Sequence, residues 1–302
     1  MEDLFTGFSF TTGVVRYKDL GYLLATKDSL VEKKVPHSRL LTRDQGNWGG
    51  WNLDWLAASG TVCHAPAERF ITVGQLGAVW VVGGGQSQEE PPVGKGAEFK
   101  KRGYLREVRG IAKGRAYAVG TCRQAYRRDG PGAWVCIDNW AKSKAKDITD
   151  YSFESIDGFS EKDIYVAGWE GEIWHYDGKK WTQIESPTNL ALHKVVCAGD
   201  GNVYIAGQVG TLIRGRGDQW DVINHEATEE DFWGLAWFQD ELYLATTHFV
   251  YRLVDDQLVR IDFGDTDIPA TCYHLSAADG IMWSIGAKDV MEFNGSAWTR
   301  IV

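Results

Sequence analysis

The chain has 302 residues, enough for two ordinary domains or for one large β-barrel, sandwich or ring of repeats. Hydrophobic residues make up 44% and charged residues 24%, which supplies a core and excludes wholesale disorder. Lys and Arg number 32 against 41 Asp and Glu, a formal charge of −9; this excludes a typical phosphate-backbone binder, which needs a basic face to displace counterions.

The chain opens MEDLFTGFSFTTGVVRYKDL, with two acids in the first three residues and no basic region ahead of a long apolar run. No secretory leader is expected there. No stretch approaches the roughly 18 apolar residues of a membrane span. The cysteines, Cys63, Cys122, Cys136, Cys197 and Cys272, are scattered and include no C-x-x-C. They read as small buried hydrophobes in a reducing compartment, so a cytoplasmic protein with no disulfide framework, no metal site and no cofactor is expected.

Along the chain one layout recurs seven times. LGYLLATKDSLVEKK places Thr26 at its anchor, and ERFITVGQLGAVWVVGGG places Gly74 there, 48 residues on. Gly120, Gly168, Gly207, Thr246 and Gly286 follow at intervals of 46, 48, 39, 39 and 40 residues. Three residues before each anchor stands a large hydrophobic residue: Leu23, Ile71, Tyr117, Tyr165, Tyr204, Tyr243 and Trp283. Twelve before it stand Val14, Val62, Val108, Ile156, Val195, Gly234 and His274. A looser column of Trp134, Trp181, Trp220 and Trp298 heads the last run of its unit. Each unit reads strand–turn–strand–turn–strand–turn–strand. The middle turn is G-x-x-G at Gly74–Gly77, Gly168–Gly171 and Gly207–Gly210, and Asp129-Gly130, Asp177-Gly178 and Asn294-Gly295 mark tight turns after the third strand.

No apolar 3.6-residue period persists for three turns, and β-branched and aromatic residues fill the runs. Four short antiparallel strands cannot bury both faces alone, so such sheets stack radially. The expected fold is all-β, a seven-bladed β-propeller with six or eight blades as the counting error. Its blades fall at 12–44, 60–103, 105–139, 153–186, 192–225, 232–263 and 272–302 of a single domain. Residues Leu4–Phe10 read as a spare apolar strand that clasps the first and last units.

The string VAGWEGEIWHYDGKKW resembles the glycine–hydrophobic–Tyr-Asp-Gly-x-x-Trp repeats of bacterial propellers in the broad WD40/YVTN-like and photosystem-assembly-factor-like group. The likeness covers units four and five well and the others in outline. The Gly-His…Trp-Asp pair of standard WD40 repeats is missing, and so is the Ser-x-Asp-x-Gly-x-Thr-Trp box of sialidases. The resemblance implies a fold; propellers of this group serve many functions.

Three segments break the repeat. QGNWGGWNLDW, residues 45–55, interleaves Trp48, Trp51 and Trp55 with Gly and Asn; it reads as a plug, an extended outer strand or an aromatic contact patch. QSQEEPPVGKGAEFKKRG, residues 86–103, reads as a solvated mobile loop. HEATEEDFW, residues 225–233, is acidic and ends in aromatics. Trp169 stands in a G-x-x-G turn where the matching residues, Gln75 and Gln208, are polar. No H-E-x-x-H, G-x-S-x-G or calcium-loop motif accompanies these features.

The reading is therefore a non-enzymatic propeller that binds another protein on its loop face, one concrete form being a bacterial immunity or adaptor protein that captures a basic partner. The expected contacts are Trp48, Trp51, Trp55, Trp169, Trp233, Glu229, Glu230, Asp231 and Tyr273. No nucleic acid, no membrane and a monomer outside its complex are expected. The alternative is a carbohydrate-active hydrolase or lyase with Glu154, Glu107 and His193 at the channel mouth.

Overall fold

Three-residue to ten-residue runs rich in β-branched and aromatic residues, separated by left-handed turn residues, fold into seven four-stranded antiparallel sheets. The fold is a seven-bladed β-propeller, described in a computed structural model for residues 4–94, 96–138, 151–264 and 267–302. The blades are grouped in two compact units, Met1–Leu56 with Ile223–Val302, and Ala57–Val222.

The second unit holds blades two to five. Their strands are β5–β8 (Ala57–Cys63, Arg69–Gly74, Val79–Gly83, Gln86–Glu90) and β9–β12 (Leu105–Gly110, Ala116–Gly120, Gln124–Gly130, Ala133–Cys136). Next come β13–β16 (Phe153–Ser160, Asp163–Gly168, Ile173–Tyr176, Trp181–Ile184) and β17–β20 (Leu192–Cys197, Val203–Gly207, Leu212–Arg216, Gln219–Val222). The first unit holds blade one, β1–β4 (Phe8–Tyr17, Leu20–Lys27, Ser38–Asp44, Asn47–Leu53). It also holds blade six, β21–β24 (Gly234–Phe238, Glu241–Ala245, Val250–Val254, Gln257–Arg260), and blade seven, β25–β28 (His274–Ala278, Ile281–Ile285, Val290–Phe293, Trp298–Arg300).

Within each unit the first strands of successive blades lie side by side, β5 by β9 by β13 by β17, and β21 by β25 by β1. Inside each unit a hydrophobic core fills the gap between neighbouring blades. The tryptophan column lies in these gaps. Trp181 is buried between blades three and four and donates its Nε1 hydrogen to the Ile137 carbonyl at 2.9 Å. Trp220 packs on Tyr165 of the preceding blade, and Trp298 stacks on Phe293.

Four glycines of the anchor column share one steric cause. Gly120, Gly168, Gly207 and Gly286 each close the second strand against the carbonyl just before the first strand, where a Cβ would run into the oxygen of Tyr104, Ser152, Ala191 or Thr271. Gly168 is extended, at φ −167° and ψ −158°, so close approach and not a positive φ demands glycine there.

Three local expectations are corrected. Phe8–Phe10 is not a spare strand but the start of β1, while Leu4 and Phe5 pack against the core between blades seven and one. Asp129-Gly130 belongs to β11, and the turn after it is made by Gly132 at φ +64°. The 86–103 segment is structured: QSQEE is the fourth strand of blade two, polar because an outermost strand faces water. A short helix, Gly96–Lys101, follows, with Phe99 buried against Tyr126.

Candidate functional site

An innermost strand pairs on one side only, leaving backbone N–H groups of its free edge to be satisfied otherwise. Here side chains of the preceding blade satisfy them. In the second unit Gly110 N donates to Thr61 Oγ1 at 2.8 Å, Ile156 N to Glu107 Oε2 at 2.8 Å, Val195 N to Ser155 Oγ at 3.1 Å and Cys197 N to Asp157 Oδ2 at 2.9 Å. In the first unit Val15 N donates to Ser276 Oγ at 2.9 Å and Lys18 N to Asp279 Oδ2 at 3.0 Å.

Glu107 is the hub of this lining. Besides Ile156 N it accepts from Ser155 Oγ at 2.7 Å and Lys194 Nζ at 2.7 Å. Burial alone pushes its carboxyl up, and the charges of Lys194 and Arg109 more than reverse that, holding it below the ordinary glutamate value. Asp157 lies 3.5 Å from Arg109, yet burial dominates and raises its carboxyl. Glu154 meets Arg106 at 3.3 Å and Ser152 Oγ at 2.6 Å, and His193 is half-buried on β17. The three residues of the enzymatic alternative are thus distributed over β9, β13 and β17, with the Glu107 carboxylate committed to three donors. General acid–base work needs a carboxyl within reach of substrate, which Glu107 does not offer.

Outside this lining, the inter-blade connections and the turns between second and third strands carry exposed apolar side chains. In the second unit these are Leu76, 56% exposed, Tyr104 and Val209, 55% exposed, beside half-buried Trp169. One face of the Trp169 ring is covered by the Arg106 guanidinium, 5.6 Å from its centroid. In the first unit the 225–233 connection is pinned by Phe232, fully buried and edge-on to Tyr251. It displays Trp233, 40% exposed, next to Glu229, Glu230 and Asp231. Glu230 reaches His248 Nδ1 at 3.4 Å. Trp55 is half-buried in the connection leaving blade one, and Tyr273 is half-buried just before β25.

Trp48 and Trp51 lie elsewhere, on β4, the outermost strand of blade one; Trp48 meets Phe5 edge-on at 5.2 Å. The structure therefore groups Trp233 with the acidic triplet and leaves Trp48 and Trp51 on a blade rim. Leu76 and Val209 were missed by sequence reading, although their signal matches that of Trp169: an apolar residue at the tip of a two-residue turn.

Seven four-stranded blades, with inner strands bound through their own polar side chains and apolar residues on the connecting edges, define a β-propeller. No family model matches the chain. It is 46% identical over 300 residues to the immune protein Tsi7 of Pseudomonas aeruginosa, covering 97% of each protein. The chain belongs to the family of that immune protein. Among solved structures it is similar to YCF48 from Cyanidioschyzon merolae, with a TM-score of 0.69 at 14% identity over 95% of each chain. The WD40 propeller domain of Doa1 matches at 0.65 and 13% identity, over 98% of this chain and 97% of that one. These likenesses concern the fold.

Proposed function

We propose that the protein is a non-enzymatic immunity protein that binds and blocks another protein, one with a basic contact surface, through the exposed residues of its connecting edges. The observation that carries this reading is the relation to an immune protein along 97% of both chains. The edge residues add chemistry: aromatic and aliphatic anchors beside carboxylates, on a chain of charge −9, suit a cationic partner. Five unbridged cysteines fit a reducing compartment, and we place the protein in the cytoplasm, monomeric until it binds.

The test is capture of a partner by the tagged protein from its native host, with light scattering on the product, beside a panel of polysaccharides. A stoichiometric complex with one protein is expected. Cleavage of a glycan, lost in Glu154→Gln, with no protein captured would replace this reading by the enzymatic one.

A further inference from the structure

Each outermost strand leaves its sheet with one unpaired backbone edge, and β4 differs from the other six. It runs seven residues, whereas among the described residues the others run three to five. Four of those carry charge, a common guard against further pairing: Glu89 and Glu90 in β8, Asp221 in β20, Arg260 in β24 and Arg300 in β28. The two without charge, β12 and β16, stop at four residues. NWGGWNL, the sequence of β4, has neither a charge nor a proline. The strand is also held in place: Trp48 meets Phe5 edge-on and Leu53 is buried at the other end. Little ordering is left to oppose a pairing.

The register says which backbone groups that edge offers. In an antiparallel ladder successive residues turn their N–H and C=O to opposite sides. Val15 N points inward, to Ser276 Oγ, so Val14 faces β2. Passing outward through the pairs Val14 with Tyr22, Leu23 with Leu41 and Thr42 with Gly49, the alternation turns Gly49 and Trp51 towards β3. The two-residue turn Gln45-Gly46, at φ +48° and +81°, closes Asp44 on Asn47 and sets the same phase. Trp48, Gly50 and Asn52 therefore direct their N–H and C=O groups outward, where blade one has no further strand. Gly49 adds a second observation. A Cβ there would meet only Thr42 Cγ2, at 3.7 Å, and no left-handed φ demands glycine. A glycine that its own blade does not require weakens the strand and leaves space beside it for another chain.

We infer that β4 takes an extended segment of the captured protein as a fifth, antiparallel strand of blade one. The segment's backbone bonds Trp48, Gly50 and Asn52, and one of its bulky side chains lies opposite Gly49. Asp44 and Asp54 bracket the uncharged strand and are both exposed, so the segment carries basic residues at its ends. The inference rests on the capture reading above and adds a rim contact to it.

The test is amide hydrogen exchange of the full chain, read residue by residue by NMR. The probe is the peptide acetyl-Lys-Thr-Val-Tyr-Val-Thr-Lys-amide; one control replaces both valines by proline and another replaces both lysines by glutamate. In the free protein the amides of Trp48, Gly50 and Asn52 are expected to exchange fast and those of Gly49 and Trp51 slowly. At ten times its dissociation constant the probe is expected to slow the outward three about tenfold. The proline peptide should leave them unchanged, and the glutamate peptide should act more weakly. Asn52→Pro removes an N–H that blade one does not use and should abolish the protection of Trp48 and Gly50, whereas Asn52→Thr should keep it. Slow exchange of Gly49 and Trp51 in both variants reports an intact blade. Slowing by the proline peptide, equal slowing by the lysine and glutamate peptides, no slowing of the outward amides, or undiminished protection in Asn52→Pro would overturn the inference. The peptide needs no captured protein, so failure of the capture reading registers separately, as the absence of a partner in the pull-down.

Discussion

At the residue scale, single atoms decide which positions tolerate change. Gly168 has no room for a Cβ because the Ser152 carbonyl occupies it, and backbone cannot move aside as a flexible side chain can. Gly168→Val should therefore destabilise the protein by about 3 kcal/mol or more, measured by denaturant unfolding. Gly217→Ala, at a turn where nothing lies within 4 Å of the added carbon, should cost less, through its φ of +56° alone. An equal loss at both sites would remove close approach as the cause. Glu107 makes a prediction about acid. Its folded pKa lies below the ordinary value of 4.5, so the unfolded chain binds the proton more readily. The stability it adds is complete above pH 4.5 and is lost as pH falls through the lower folded value. Glu107→Gln should be less stable than the parent at pH 7, and the gap should narrow towards pH 3; Asp157, shifted upward, works against this slope. A constant gap between pH 7 and pH 3 would show that the Glu107 pKa does not differ between the folded and unfolded protein.

At the scale of elements, the seam between blade seven and blade one shows how a blade is held without exchanging strands. Strand β1 lies beside β25 and β26, and Phe10 N donates to the Ala287 carbonyl at 2.8 Å. Lys288 Nζ donates to the Phe8 carbonyl and to Asp28, each at 2.7 Å, and Arg43 meets Glu292 at 3.3 Å. Gly21 leaves space for the ring of Trp283, whose Nε1 donates to Glu292 at 3.0 Å. The segment before β1 adds Leu4 and Phe5 to this core. Removing residues 1–7 should therefore lower the melting temperature by a few degrees, equivalent to about 1–2 kcal/mol in a chain of this size. Removing residues 1–11 takes away buried Phe8 and Phe10 and should lower it much further. Calorimetry of the two truncations checks this; equal melts would mean that β1 contributes nothing to the seam.

At the scale of the whole molecule, net charge and edge residues act on different rates. Under the proposed capture of a basic protein, a chain of formal charge −9 should draw that partner in, so association should slow as salt rises, and neutralising Glu229, Glu230 and Asp231 together should flatten that dependence. Trp233→Ala removes an exposed anchor and should act on dissociation, by about thirtyfold if the side chain is central to the contact. Both variants are read by surface-binding kinetics at two salt concentrations with the captured partner. Parental rates in both would move the contact away from the 225–233 connection.

Blade number and strand order were legible in the chain because each blade is continuous in sequence: its hairpins are set by local turn chemistry, and the buried column Leu23, Ile71, Tyr117, Tyr165, Tyr204, Tyr243 and Trp283 repeats with them. The composition of QSQEE hid a strand, since an edge strand in water needs no alternation, whereas of the readings open for residues 45–55 the extended outer strand is the one that β4 realises. The site was less legible still. Glu107 and Glu154 look alike in the sequence, but one is sealed beneath Ser155 and Lys194 and the other faces Arg106, partners supplied by neighbouring strands as many as 87 positions away. Local chemistry makes a blade, whereas the packing of one blade against the next determines which of its polar and apolar groups are left to meet another molecule.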